Sequence, residues 1–237
     1  MPQAPETPFV IVEAIYPNMT QLDFTGPHTI FSRLPNVQTI VASAPGGPVE
    51  SEGGLIFAGT QRLADIERCD LLFTPGGMGV TDAMNDVAFM SEIRRLSADA
   101  RYLTSVCTGS LILGAAGLLK GRKAACHWAW RDMLHLFDAI PEDARVVRDG
   151  NIITGGGVTA GIDFALVIAA ELAGELTAQA LQLMIEYAPA PPFNAGRPET
   201  APAEVLTLVQ SRMAEVLPKR LAAAKLAAAN EVSLHRP

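Results

Sequence analysis

The chain of 237 residues is 49% hydrophobic and 18% charged, with 20 Gly and 17 Pro, a composition that builds a packed core and excludes disordered, collagen-like and coiled-coil classes. Its formal charge of -7 argues against nucleic acid as a partner, because such a footprint needs clustered Lys and Arg to displace counterions from phosphates. The longest apolar stretches, such as residues 111–119, fall far short of the ~20 residues of a membrane-spanning helix, and residues 1–7 lack the basic start of a secretory signal, so the expected location is the cytoplasm with no membrane partner.

In chain order, short β-branched or apolar runs at residues 9–15, 37–43, 71–74, 102–106, 124–127, 145–148 and 152–154 read as strands. Between and after them, apolar residues at three- and four-residue spacing predict helices at about 28–34, 86–100, 109–118, 130–137, 162–172, 177–185 and 203–225. That alternation predicts an α/β fold with a mainly parallel sheet and helices on both faces. Gly53-Gly54 is expected to turn a small hairpin, residues 49–51 against 55–58. Residues 188–202 carry repeated prolines, which fix φ and remove backbone donors, so an extended arm is expected there. Residues 203–237 suffice for one Ala-rich helix and a frayed tail. The organisation expected is an α/β unit over residues 1–187, with the arm and helix of 188–237 belonging to the same domain.

The strongest chemical signal is the run from Tyr102 through Cys107-Thr108-Gly109-Ser110 to Gly114, a strand entering a cysteine, a small turn and an apolar helix. This is the pattern of a nucleophile elbow, in which the reacting atom sits exposed on a sharp strand-to-helix turn. The helix N-terminus beneath would favour thiolate over thiol. A free Cys is more often a small buried hydrophobe, but the Thr-Gly-Ser after Cys107 favours the nucleophile. Cys69 and Cys126 lack this context and read as packing residues, and an odd number of three Cys makes neither a disulfide framework nor a zinc pattern. His127 reads as a structural histidine beside Trp128, while His28, His135 and His235 stand singly, and no pair of histidines has metal-ligand spacing.

Asp23, in Gln21-Leu22-Asp23-Phe24-Thr25-Gly26-Pro27, lies one loop past the first strand. It is either a helix N-cap or a carboxylate held between apolar neighbours, where burial favours its neutral form, and the two readings stand about even. Two glycine turns, Thr74-Pro75-Gly76-Gly77-Met78-Gly79 and Thr154-Gly155-Gly156-Gly157-Val158-Thr159, complete the same edge. Neither is a nucleotide-binding loop. Both can bring backbone N–H groups to an anion near Cys107.

Pro75-Gly76-Gly77, the segment Ser105 to Gly109, residues 115–122 and the segment Gly157 to Phe164 together resemble the ThiJ/PfpI branch of the class I glutamine-amidotransferase-like fold, over residues 9–172. Within that branch, residues 22–27, Cys107 to Ser110 and especially 186–196 are similar to the isocyanide hydratases. The departures matter. Thr108 stands where PfpI-type peptidases carry the His next to their cysteine, so peptidase activity is not expected. The carboxylate is Asp23, where glyoxalase-like relatives carry Glu. Regulators of this branch append a basic helix-turn-helix pair that residues 203–237 are too short to hold.

The resemblance implies a flavodoxin-like sandwich and a homodimer acting on a small-molecule isocyanide through a covalent Cys107 adduct, with no metal or organic cofactor. The site chemistry read from the residues gives Cys107, Asp23 and Thr108 roles in catalysis, with backbone donors at Gly77 and Thr108 and a pocket expected from Gly76, Met78, Gly156, Val158 and Thr159. A cysteine-based redox or small-molecule sensor, and a ligand-binding domain related to the regulators, are the alternatives.

Overall fold

The computed structural model describes residues 7–234, with side chains as far as Glu231; residues 1–6 and 235–237, His235 among them, lie outside the described residues. Its centre is an eight-stranded sheet built from β1 (Phe9–Ala14), β2 (Val37–Ser43), β3 (Gly47–Glu50), β4 (Ile56–Arg62), β5 (Leu71–Thr74), β6 (Tyr102–Val106), β9 (Val146–Asp149) and β10 (Ile152–Gly155). The strand order is β3-β4-β2-β1-β5-β6-β10-β9. All neighbours from β4 to β10 pair in parallel, and only the edge strands β3 and β9 run antiparallel. A two-stranded ribbon, β7 (Lys123–Ala124) with β8 (Ile140–Pro141), lies outside it.

Alternation along each strand sends side chains into two cores. From β1, Val10, Val12 and Ala14 enter the core shared with α3 (Val87–Ser97), α4 (Gly109–Ala115) and α7 (Ala203–Leu234). Ile11 of the same strand joins Phe31, Phe73, Val106 and Phe164 beneath α1 (Gln21–Phe31), α5 (Ala160–Ala173) and α6 (Glu175–Met184). The parallel strands thus bury both faces, which explains their near-continuous apolar runs. Helices α1 and α5 approach closely: a Cβ on Gly161 would meet Pro27 Cδ at 3.1 Å, and one on Gly26 would meet Ile162 Cγ1 at 3.4 Å.

The architecture and the hairpin at Gly53-Gly54 agree with the sequence reading, and several boundaries do not. The first helix begins at Gln21 rather than residue 28, enclosing Gly26 and Pro27. Pro27 has no N–H to give the Asp23 carbonyl four residues back, yet packing against α5 holds the helix together. The strand expected over 124–127 stops at Ala124. Beyond it, Ala125 N–H donates to Thr154 Oγ1 and its carbonyl accepts Ser110 Oγ–H, so side chains take the place of a ladder. Residues 131–137 form a 3-10 turn, and the short helix α2 (Val80–Ala83) carries no periodic signal. The last helix runs through Pro218 to Leu234, past the expected end at 225. It buries Ala224 and Ala227 in the first core and packs on α2 and α4.

Candidate active site

The carboxyl ends of β1, β5, β6 and β10 open on one edge of the sheet, the position where doubly wound folds bind ligands. Asp23 comes after β1, the Pro75-Gly76-Gly77 turn after β5, Cys107 at the end of β6, and Gly156-Gly157 after β10. The topology brings together there residues separated by more than a hundred positions in sequence.

Cys107 adopts φ +59°, in the left-handed region that costs a non-glycine residue about 1–3 kcal/mol and persists only where its surroundings enforce it. The enforcement is visible. The Cys107 N–H donates to the carbonyls of Gly155 at 3.1 Å and Gly156 at 2.8 Å, and α4 starts at Gly109. A Cβ on Gly109 would lie 2.3 Å from the Thr74 carbonyl oxygen, so only glycine lets the chain turn this close to β5.

Asp23 sits in the first turn of α1 and is 0% exposed. It is no N-cap: that place belongs to Thr20. Asp23 Oδ2 accepts the Gly76 N–H at 3.0 Å, while Oδ1 is buried without a hydrogen-bond partner. Burial pushes the carboxyl up to about 7, against the opposing influence of the neighbouring Cys107 thiol and the Gly76 N–H. Burial and the Asp23 charge likewise hold the Cys107 thiol well above the ordinary thiol range, against the opposing pull of the Thr108 N–H. The expectation of an exposed thiolate is therefore corrected. Cys107 is 5% exposed, and desolvation outweighs a helix of two turns.

Thr108 is buried, and its hydroxyl bridges to Gly77, accepting the Gly77 N–H at 3.0 Å and facing the Gly77 carbonyl at 3.3 Å. Gly77 therefore reaches the site through the threonine hydroxyl, since its N–H is already engaged. At φ +137° a Cβ on Gly77 would meet Thr20 N at 2.3 Å, so a side chain is excluded there.

Gly156, Val158 and Thr159 line an open cavity of about 290 Å³ with Cys126 and His127, bordered by Gly196 to Glu199 of the arm. Gly76 and Met78 do not line it. Gly76 packs on Asp23 and Cys107, and Met78 is 45% exposed. The arm is anchored there by an ion pair from Arg197 to Asp143 at 3.3 Å, whereas Phe193 is 80% exposed. His127 Nδ1 accepts the Ala129 N–H, and burial lowers the ring to about 4, so it is neutral as a structural histidine should be. Burial pushes Cys69 and Cys126 up to about 12, consistent with packing roles. His28 is not solitary: its Nδ1 lies 2.6 Å from Glu13 Oε2. Among the described residues, no group of three or more His, Cys, Asp or Glu is placed to hold a metal.

Three contributors escape a reading of the sequence alone. Tyr16 donates its hydroxyl to the Pro75 carbonyl at 2.7 Å. Glu52, from the β3–β4 turn, accepts from the Thr20 hydroxyl at 2.7 Å and the Met78 N–H at 3.1 Å. Arg220 of α7 donates to the Gly77 and Met78 carbonyls and the Thr81 hydroxyl. None carries a local motif, since each acts across the fold on the turn after β5.

A cysteine strained on a strand-to-helix turn, with a raised carboxyl beside it at the mouth of a doubly wound sheet, defines a class of cysteine-centred α/β proteins. Residues 10–171 match the DJ-1/PfpI family, and the chain belongs to it. It is 49% identical over 215 residues to the isonitrile hydratase of Pseudomonas putida, covering 91% of this chain and 94% of that one. A crystal structure of a ThiJ/PfpI family protein from Pseudomonas syringae superimposes with a TM-score of 0.89 at 44% identity, over 94% of this chain and 97% of that one. Drosophila melanogaster DJ-1beta shares the fold alone, with a TM-score of 0.69 at 22% identity over 77% of this chain and all of that one.

Proposed function

We propose that this protein is a cytoplasmic enzyme that adds water to an isocyanide, R–NC, giving the N-substituted formamide, R–NH–CHO. The observation that carries the proposal is the Asp23–Cys107 pair, two buried groups with raised pKa values beside each other, in a chain so similar to an isonitrile hydratase. Paired in this way, the carboxyl can take the thiol proton and give it back, as hydration requires.

As sulfur attacks the terminal isocyanide carbon, the thiol proton passes to the Asp23 carboxylate and from there to that carbon, leaving a thioimidate, Cys–S–CH=N–R. Water then adds to the same carbon. Asp23 accepts a water proton and delivers it to nitrogen, giving Cys–S–CH(OH)–NH–R. Breaking the C–S bond forms the formamide carbonyl, and the hydroxyl proton returns through Asp23 to sulfur. The Thr108 N–H stabilises charge on sulfur, and its hydroxyl would turn from the Gly77 carbonyl to donate to the substrate nitrogen. The residues invoked require no metal or organic cofactor.

Burial of Cys107 favours turnover over redox sensing, which relies on accessible thiols of low pKa. The test is incubation with a small panel of isocyanides, assaying formamide and acid-quenching early turnovers for mass spectrometry. The expected adduct is the intact substrate mass on the Cys107 peptide, because thioimidate formation expels no leaving group. Formamide production by enzyme with Cys107 fully alkylated would overturn the mechanism, and absence of formamide from every isocyanide would overturn the activity.

A further inference from the structure

Arg220 is 1% exposed and is the largest fully buried side chain of the fold, yet among the described residues no carboxylate is bonded to it. A buried cation normally requires a hydrogen-bonded counter-charge. Here neutral groups hold it. Nε donates to Thr81 Oγ1 at 3.1 Å, Nη2 donates to the Gly77 carbonyl at 3.3 Å and the Met78 carbonyl at 3.4 Å, and the guanidinium lies 4.2 Å over the Trp130 ring. The titratable groups that interact electrostatically with it are Tyr16, Cys107, Cys126, His127 and Glu52.

We propose that Arg220 is a positioning residue for the cysteine site, clamping the Gly77–Thr81 turn that fixes Thr108 and supplying the positive charge that balances sulfur when Cys107 is ionised. The two effects share one geometry. The Gly77 carbonyl that Arg220 holds belongs to the residue whose N–H anchors the Thr108 hydroxyl, so the clamp transmits directly to the neighbour of the cysteine. Burial lowers the pKa of Arg220, and anions at Tyr16, Cys107 and Cys126 favour its charged form, which by reciprocity favours those anions. Helix α7 thus contributes to reactivity from a part of the chain beyond the 10–171 family match. The inference requires only that Cys107 is the reactive thiol, whatever the substrate.

The test is the rate of Cys107 alkylation by iodoacetamide at mildly alkaline pH, read on its own peptide, so it does not rely on isocyanide turnover. Arg220→Gln removes the charge and should slow alkylation about tenfold, the effect of about one unit in thiol pKa. Arg220→Lys keeps the charge and loses the fork, so its alkylation rate should stay within about threefold of wild type. Amide exchange over residues 77–81 should meanwhile quicken by about tenfold or more. A merely structural arginine predicts equal alkylation rates for Arg220→Gln and Arg220→Lys, because both lose the fork and charge is what distinguishes them. Faster or unchanged alkylation in folded Arg220→Gln overturns the proposal. Should that variant fail to fold, Arg220→Lys decides: faster exchange at 77–81 with the alkylation rate kept supports the proposal, and wild-type exchange or altered alkylation overturns it.

Discussion

Gly76 donates its N–H to Asp23 Oδ2 at 3.0 Å and leaves no space for a side chain of its own. A Cβ there would lie 2.8 Å from that same oxygen, 2.8 Å from Cys107 Cβ and 2.5 Å from Thr108 N. Gly76→Ala must therefore push the carboxyl and the cysteine apart. It should lower Tm by about 2–10 °C, as about 1–3 kcal/mol of overpacking does in a chain of this size, and abolish turnover without removing any reacting group. Gly196→Ala, with nothing within 4 Å, is the control for stability. Calorimetry and the formamide assay decide, and an active Gly76→Ala would contradict the tight fit.

Cys107→Ser should reduce turnover by about 10³-fold or more while the fold persists, since a neutral hydroxyl is a much poorer nucleophile. Cys69→Ser and Cys126→Ser, if folded, should stay active. Cys107→Gly should in addition be more stable than Cys107→Ala, because only glycine relieves the strain of φ +59°. Equal melting of those two variants would contradict the strain.

Asp23→Asn should lower turnover by about 10²–10⁴-fold, as expected for loss of a general acid and base. It should also stabilise the protein in alkaline solution. With a native pKa of about 7 against an ordinary 3.8, the native state binds the Asp23 proton more tightly than the unfolded chain. Stability from this group is thus greatest at low pH, falls as pH rises between those values, and is flat above, a difference of up to about 4 kcal/mol. The gain in Tm from Asp23→Asn should grow across the same window. A gain independent of pH would remove the raised carboxyl.

Thr108→Val deletes the hydroxyl that accepts the Gly77 N–H, leaving a buried donor without its partner at a cost of about 1–3 kcal/mol. Thr108→Ser keeps the oxygen and should retain most of both stability and activity. If valine and serine behave alike in melting and in turnover, the bridge to Gly77 has no role.

The resemblance implies a homodimer, and the exposed Phe193 on the Pro-rich arm offers a second subunit an anchor. Light scattering at micromolar concentration should give twice the chain mass, with Phe193→Ala shifting the equilibrium toward single chains. A single-chain mass for the unaltered protein would remove this expectation.

Much of the site is legible in the sequence because its parts are local signals. Cys107 stands at a strand-to-helix junction, and the glycines at 76 and 77 come directly after a strand. Asp23 is conspicuous, but the sequence does not settle its role: the Gly26-Pro27 pair looks like a turn, and only packing on α5 shows that the helix already begins at Gln21. The ionisation of Cys107 misleads for a related reason, since a helix start is visible in sequence and the depth of burial is not. Arg220 hides in an Ala-rich helix with Lys219 beside it, where charged residues usually face water. Lys219 does reach out to Asp82 at 2.9 Å, while Arg220 turns inward.

The hydrogen bond from Arg220 to Thr81 spans 139 residues of sequence, and this gives the protein a timetable during its own synthesis. At about 5–20 residues per second, Arg220 is added roughly 7 to 28 seconds after the turn it grips. Cys107 and β10, the strand beside its own, are made in that interval, so every strand of the cysteine edge is synthesised before the helix that braces it. Closure of the last helix is then the event that matures the site.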